Sequence, residues 1–183
     1  MTVFAMNWWW YTCQEFGVGC IMFCVGLSSS MRHANGYDWR YIHTRFALMA
    51  SLSLGITVVT YIFNKPRFIY FGALHCITLN SVLHLPFLLN KLSSGIAGIL
   101  ILSYTPFFGV FPLELPIYPT MDFIPWFNNL GYVLLGVAAH KFSIHQIRFP
   151  LFTESYFTFI GQNALKIYLI HMTIIFTLFL LIK

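Results

Sequence analysis

Three histidines lie within long apolar stretches of this sequence, where an imidazole needs a polar partner. His75 and His84 occur in FIYFGALHCITLNSVLHLPF, and His171 occurs in ALKIYLIHMTIIFTLFLLIK. Asp122 precedes another apolar stretch, in YPTMDFIPWF. A carboxylate near two imidazoles can carry out general-base chemistry, because the carboxylate fixes the tautomer of one ring and that ring takes a proton from a hydroxyl or an amine. These residue types therefore predict a site that activates a nucleophile.

We expect His75 and His171 to converge on one cavity that opens to the outer side. With a rise of about 1.5 Å per residue, His75 lies roughly 10 Å below the outer end of its predicted helix, and His171 lies about 16 Å below the outer end of the last one. Asp122 stands at the outer entry to the fifth predicted helix. Trp126 follows four residues later and is expected on the same helix face.

Each of these residues also has a structural interpretation. A histidine inside a membrane helix can bond a carbonyl of a neighbouring helix, and Asp122 can act as the N-cap of its helix. His84 is interpreted as structural, because it lies near the opposite end of its helix from the proposed site.

The loop after the first full helix is basic. It contains Arg32, Arg40 and Arg45, together with His33 and His43. One interpretation is a solvated loop on the cytoplasmic side, where lysine and arginine accumulate. The alternative is that these side chains bind the phosphates of a cytoplasmic acyl-CoA.

The elements that must position these residues are membrane helices. Of the 183 residues, 58% are hydrophobic and 8% are charged, and the mean hydropathy is +0.75, whereas soluble domains carry about 25% charged residues. This composition excludes an ordinary soluble domain and predicts an all-α, polytopic transmembrane helix bundle. A bilayer needs apolar runs of about 20 residues, and the candidates are Tyr11–Met31, Phe46–Phe63, Phe68–Leu89, Gly95–Phe111, Phe123–Ala139 and Ala164–Ile182, with Pro106 expected to kink the fourth.

Two further expectations concern the start of the chain and its orientation. VFAMN resembles the tail end of a truncated first helix, and Trp8, Trp9 and Trp10 would then form its aromatic belt. Lysines and arginines number six in the first, third and fifth loops against three on the opposite side, which favours a cytoplasmic location for those three loops and an outside N-terminus. The basic residues form no single stripe, so no nucleic-acid partner is expected.

No metal site is expected. Cys20 and Cys24 lie one turn apart on the first full helix, where a small thiol packs well, and no second Cys or His pair completes a zinc site. Gly19, Gly26 and Ser30 keep one face of the same helix small, which is typical of close helix packing.

Several motifs together resemble one known family. CIMFCVGLSSS, LGITVVTYIF, FIYFGALHCITLNSVL, YPTMDFIPWFNNLGYVLLGVAAH and FIGQNALKIYLIH follow one another in the order seen in the heparan-alpha-glucosaminide N-acetyltransferase catalytic-domain family. The IYLIH ending is shared with wider groups of membrane acyltransferases, whereas YFGALH followed by PTMDFIPWF is more specific. The resemblance extends from about Val3 to Ile182.

The resemblance implies transfer of an acyl group, acetyl from acetyl-CoA, to an acceptor on the outer side. It places His75, Asp122 and His171 on the family's characteristic positions, and Asn7 where the family has Asn or His at the outer end of its first helix. The chain departs from the family in three ways. It lacks the opening Asp and Arg-Gly segment, it has no histidine in WWWYTCQEF, and Met172 and Thr173 replace the usual Gln-Pro.

The sequence thus predicts a single integral-membrane acyltransferase-like domain over residues 1–183, multi-pass in a bacterial inner membrane. His75, His171, Asp122 and Asn7 are the candidate catalytic residues, and Trp126, Arg32, Arg40 and Arg45 are the candidate substrate-binding residues. The expected partners are the lipid bilayer, acetyl-CoA as a co-substrate with no other cofactor, and an amino-sugar or glycan acceptor; a homo-oligomer is left open. The alternatives are a shortened, inactive relative, a transporter or flippase-like component whose histidines relay protons, and a scaffold.

Overall fold

The computed structural model describes residues 7–63, 65–109, 111, 123–143, 159 and 163–182. The chain divides into two compact units, Met1–Gln146 and Ile147–Lys183, and each is described here by itself. Over the described residues the regular secondary structure is helical, which confirms the all-α prediction. Its helices are α1 (Asn7–Arg32), α2 (Trp39–Phe63), α3 (Ala73–Leu83), α4 (Lys91–Phe108), α5 (Trp126–Lys141) and, in the second unit, α6 (Ala164–Ile182).

Glycines let helices α1 and α5 pack closely along their length. A Cβ atom added to Gly26 of α1 would overlap the carbonyl group of Val133, and one added to Gly136 of α5 would overlap the carbonyl oxygen of Phe23. Only a residue without a side chain permits this backbone approach. Ser30 adds a polar link, since its Oγ lies 2.8 Å from Nδ1 of His140. The predicted small face of α1 is therefore confirmed as a packing face.

Helix α2 begins seven residues before the predicted apolar run. Asp38 acts as its N-cap, because its Oδ1 accepts the Tyr41 N–H at 3.1 Å. The buried residues of the helix are Ser53 and Thr60, whereas its large apolar side chains lie on the outside, among them Leu54, Val58 and Ile62. The Thr60 hydroxyl also accepts the backbone N–H of Ile69 at 3.1 Å, so the polar face of α2 joins it to the chain that leads into α3.

Helix α3 is shorter than the predicted run of Phe68–Leu89. Its N-cap Gly72 is extended, and the residues before it include Phe71, which forms an isolated parallel bridge with Phe123. At the other end the chain continues as a 3₁₀-helix, Leu85–Leu89, with a proline at its start. Because proline lacks the N–H that an α-helix needs, the change in helix type follows from Pro86.

Helices α4 and α5 also begin and end at identifiable residues. Asn90 caps α4 by accepting the Leu92 N–H at 3.0 Å. The helix continues past Pro106 to Phe108 and stops at Gly109, whose φ of 81° suits glycine. Helix α5 begins at Trp126 and not at Phe123, because Phe123 is in the bridge and Pro125 is extended. The expected kink at Pro106 stays a prediction.

The first unit has a small core where α1, α3 and α5 meet. Met22, Cys76, Ile124 and Val133 are buried together there. Cys20 and Cys24, expected to pack, are instead exposed, and among the cysteines whose burial is described Cys76 is the buried one. Helical spacing alone does not show which way a helix is turned, and in α1 the glycine face occupies the contact with α5.

Helix α2 is the one described helix that is long and apolar enough to cross a membrane, judged by length and composition. Helix α3 and residues 92–108 are shorter apolar helices. The all-helical character of the predicted bundle is thus shown, and its polytopic membrane topology stays a prediction. The predicted tail of a truncated helix, VFAMN, lies largely outside the described residues, which begin at Asn7.

Candidate functional site

His75 lies in the first turn of α3 and is bonded at both ring nitrogens. Its Nδ1 accepts the Gly72 N–H at 3.3 Å, so Nδ1 carries the lone pair. Its Nε2 therefore carries the proton and donates to Thr57 Oγ1 of α2 at 3.0 Å. In this arrangement the half-buried ring caps α3 and ties it to α2, which matches the structural interpretation. To act as a base, His75 must first release the Gly72 N–H.

Trp126, a candidate substrate-binding residue, is the first residue of α5. Its ring packs edge-on against Phe111 and Phe127, and its carbonyl accepts Nδ2 of Asn80 at 3.2 Å. Phe123–Pro125 is not helical and α5 begins at Trp126, so the helical turn expected to carry Asp122 and Trp126 on one face is not formed over residues 123–125. The N-cap of α5 is Pro125.

The other three candidate catalytic residues are placed only in part. Asp122 lies outside the described residues, and Asn7 is the first residue of α1, with a side chain that is not described. His171 lies within α6, in the second unit. The convergence of His75 with His171 therefore stays a prediction.

Two of the three candidate arginines meet at one aromatic ring. The guanidinium of Arg32 lies 4.6 Å from the Tyr41 ring centroid and bonds Asp38 at 3.2 Å. Arg45 donates from Nη1 to the Tyr41 hydroxyl oxygen at 3.1 Å. Arg40 is exposed. The Tyr41 N–H holds the pKa of Asp38 below its usual range, and Arg32 adds to this effect.

A cavity of about 20 Å³ lies beside these arginines, between α1, α2 and the end of α3. This volume is enough for about one water-sized group. Its polar lining comes from six side chains, and Val25, Ile42, Phe46 and Leu85 form the apolar remainder. The polar residues are Ser29, His33, Tyr41, Arg45, Ser81 and His84.

Within this cavity, His84 is set up as a base toward Ser29. Its Nδ1 lies 2.7 Å from the carbonyl oxygen of Asn80. A carbonyl only accepts, so Nδ1 carries the proton and Nε2 carries the lone pair. The Ser29 hydroxyl lies 2.6 Å from that Nε2 and donates to it. Ser29 and His84 are 7% and 1% exposed, which makes this a buried nucleophile–base pair with an orienting group behind the base.

A second basic nitrogen lines the same cavity. Nδ1 of His33 lies 2.8 Å from the carbonyl oxygen of Ser29 and donates to it. Its Nε2 therefore holds a lone pair, and this buried atom has no hydrogen-bond partner among the described residues. The expectation that His33 is solvated is wrong, since the residue is 9% exposed. His43 is exposed, in agreement with its interpretation as part of a solvated loop.

Sequence reasoning missed this cavity. The sequence indicates a structural role for His84 and does not distinguish Ser29 from its neighbours in LSSS. The signal available was the pair of histidines at one end of the bundle, near the arginines. Among the described residues no group of His, Cys, Asp or Glu could hold a metal ion.

Comparison with known proteins identifies one family. Residues 1–173 match the family described as heparan-alpha-glucosaminide N-acetyltransferase, catalytic. The match includes the cavity and every candidate residue predicted above. The chain matches no curated protein and no solved structure.

Proposed function

This chain belongs to the heparan-alpha-glucosaminide N-acetyltransferase catalytic family, and from that premise we propose that it is a membrane acetyltransferase. It takes acetyl from acetyl-CoA and passes it to an amine or hydroxyl of a sugar or glycan on the outer side. The observation that carries this proposal is the cavity lined by Arg45, Ser29, His33 and His84. This cavity combines the cation of Arg45 with the imidazoles of His33 and His84, each of which has a lone pair on Nε2 that can accept a proton.

The surface of α2 supports a location in the membrane. With 25 residues the helix is roughly 38 Å long, which exceeds a hydrocarbon core of about 30 Å. Leu54, Val58 and Ile62 are 63%, 49% and 69% exposed. Ile96, Ile99 and Leu100 of α4 are likewise exposed. These side chains would contact lipid, and the chain would cross a bacterial inner membrane several times.

The cavity end of the bundle is the donor end in this proposal. Arg32 ends α1, and Arg40 and Arg45 lie near the start of α2; positive charge favours the cytoplasmic side, where acetyl-CoA is found. Arg45 and Arg40 are the phosphate-binding candidates. Arg32 is less suited, because it is already paired with Asp38. The N-terminus then lies outside.

The acceptor end rests on the resemblance to the family. His75, Asp122, His171, Asn7 and Trp126 are assigned there, with the acceptor entering near Asp122 and Trp126. By this assignment His75 or His171 takes the proton of the acceptor. The bond between the Gly72 N–H and His75 would have to open first.

Binding of acetyl-CoA tests the proposal directly. Purified protein in lipid nanodiscs is titrated with radiolabelled acetyl-CoA, and transfer to glucosamine and to glucosamine oligomers is then measured. We expect saturable binding that Arg45→Gln weakens about tenfold, the equivalent of 1.4 kcal/mol. Lys65→Gln, beyond the opposite end of α2, is the matched control and should bind as the unchanged protein does. Absence of saturable binding would overturn the proposal in favour of a transporter or scaffold.

A further inference from the structure

The hydrogen bond between Ser29 and His84 is not one that helix packing by itself requires. The Ser29 hydroxyl could bond a carbonyl of its own helix, as Ser28 does with Val25 at 3.1 Å. It instead donates to a histidine 55 residues away at 2.6 Å. The backbone of Asn80 fixes the tautomer of that histidine. Nucleophile, base and orienting group are therefore all present.

We propose that Ser29 is a covalent nucleophile for the donor half-reaction and that His84 is its general base. The identity of the donor as acetyl-CoA rests on the proposed function. Ser29 Oγ attacks the thioester carbonyl carbon, and its proton passes to Nε2 of His84. The new O–C bond forms, the C–S bond breaks, and the departing thiolate takes the proton from His84. The products are an acetyl ester of Ser29 and free coenzyme A.

The surroundings of Ser29 support this step. Tyr41 lines the same cavity, and a hydroxyl donor held there stabilises the negative charge that develops on the carbonyl oxygen. The Tyr41 hydroxyl oxygen accepts from Arg45, so its own proton is available to that oxygen. The cavity holds about one water-sized group, so it must open before the thioester reaches Ser29.

His33 completes the cavity with a role in the fate of the ester. Its buried Nε2 lone pair has no partner among the described residues, and its Nδ1 is held by the Ser29 carbonyl. It can therefore take a proton from a water that attacks the acetyl-serine. Ser29 lies beside His84. His84 follows His75 by nine residues, which corresponds to about 14 Å along the helix axis. The inference accordingly concerns the donor end alone.

Acetyl-CoA without an acceptor tests the inference. The protein in nanodiscs is incubated with acetyl-CoA, quenched in acid and analysed by intact mass and peptide mapping. We expect one acetyl group on Ser29 with release of one coenzyme A thiol. Ser29→Ala should abolish the label, and Ser28→Ala, a change at an exposed neighbour in the same segment, should keep it. Ser29→Cys should carry the acetyl as a thioester that neutral hydroxylamine removes.

His84→Gln separates catalysis from folding. General-base catalysis contributes about 10²–10⁴-fold, so labelling of Ser29 should slow by about that factor while acetyl-CoA binding, the readout of a folded site, stays near that of the unchanged protein. The pH dependence of labelling should also disappear in this variant.

Two results would overturn the inference. One is full acetyl transfer to an acceptor by Ser29→Ala, with no label on Ser29 in the unchanged protein; this leaves the acetyltransferase proposal standing. The other is a protein that does not bind acetyl-CoA at all, in which case both proposals fail.

Discussion

At the scale of single residues, His75 is predicted to stabilise the fold. Its ring accepts from Gly72 and donates to Thr57, so His75→Ala leaves both groups without these bonds. Loss of such partners costs about 1–3 kcal/mol. We expect a lower melting temperature in nanodiscs, measured by the fluorescence of the tryptophans.

Thr57→Val and Thr57→Ser distinguish the two roles of His75. The serine variant keeps the acceptor for Nε2 and should melt like the unchanged protein, whereas the valine variant loses one of the two bonds and should melt between the unchanged protein and His75→Ala. A His75→Ala protein with unchanged melting and no acetyl transfer would contradict the capping role and favour the catalytic one.

Asp38 makes the stability of the N-terminus of α2 depend on pH. The Tyr41 N–H, assisted by Arg32, lowers the pKa of Asp38 in the folded protein. Its contribution to stability is therefore complete above the pKa of the unfolded chain, about 3.9. It is lost as the pH falls through the lower folded pKa. Asp38→Ala should lower the melting temperature at neutral pH, and the difference from the unchanged protein should shrink in acid.

Asp38→Ser is the control for this acid sensitivity. Serine can still cap the helix but forms no ion pair with Arg32. It should recover most of the stability at neutral pH and show no titration of the cap. A difference between Asp38→Ala and the unchanged protein that is constant down to pH 2 would contradict the assignment.

The residues of the cavity show why part of the site was unpredictable. The bond between Ser29 and His84 joins positions 55 apart in sequence, and it depends on how α1 and α3 are rotated about their axes. The periodicity of apolar residues within a single helix does not reveal that rotation. The three candidate arginines are predictable because their segment is short and basic. That two of them meet at Tyr41 can be inferred from helical spacing only once α2 is known to begin at Trp39.

At the scale of elements, the contact between α1 and α5 should be the part of the fold most sensitive to added methyl groups. Gly26→Ala and Gly136→Ala force a Cβ into facing backbone. Overpacking typically costs about 1–3 kcal/mol, so we expect each variant to melt earlier and to show weaker folded expression.

Gly17→Ala is the matched control in α1, because a Cβ at that position meets nothing within 4 Å. Alanine is the better helix former by about 1 kcal/mol, so this variant should be neutral or slightly stabilised. Equal effects of Gly17→Ala and Gly26→Ala would contradict the close contact.

The helices themselves were predictable, and their ends were not. Apolar runs located all of α1 to α6, since burial in lipid or in a helix contact demands them. The ends depend on single polar or cyclic residues: Asp38 extends α2 backward, Gly72 delays the start of α3, and Pro125 delays that of α5. A hydropathy window averages over such residues and misses them.

At the scale of the whole molecule, the proposed orientation predicts opposite labelling at the two ends of α2. In a background without native cysteines, Lys65→Cys should react with a membrane-impermeant maleimide in intact cells. Asn35→Cys should react only after lysis. Both native residues are exposed, so access is not limited by packing.

The reverse labelling pattern would place the arginines outside and separate the cavity from cytoplasmic acetyl-CoA. Labelling of both positions in intact cells would mean that α2 does not cross the membrane. Permeabilised cells, in which both variants should react, serve as the control for cysteine reactivity.

Helix α2 carries its polar residues inside and its apolar ones outside, and this arrangement governs which substitutions the protein can accept. At Leu54, Val58 and Ile62 one apolar side chain should replace another freely, because lipid tails conform to any shape. At Ser53 and Thr60 the fold requires a hydroxyl group at a fixed position, since that of Thr60 accepts the N–H of Ile69. Across many related sequences, the hydrophobic positions of this helix should therefore drift while its small polar positions stay constant, the inverse of the pattern in a water-soluble core.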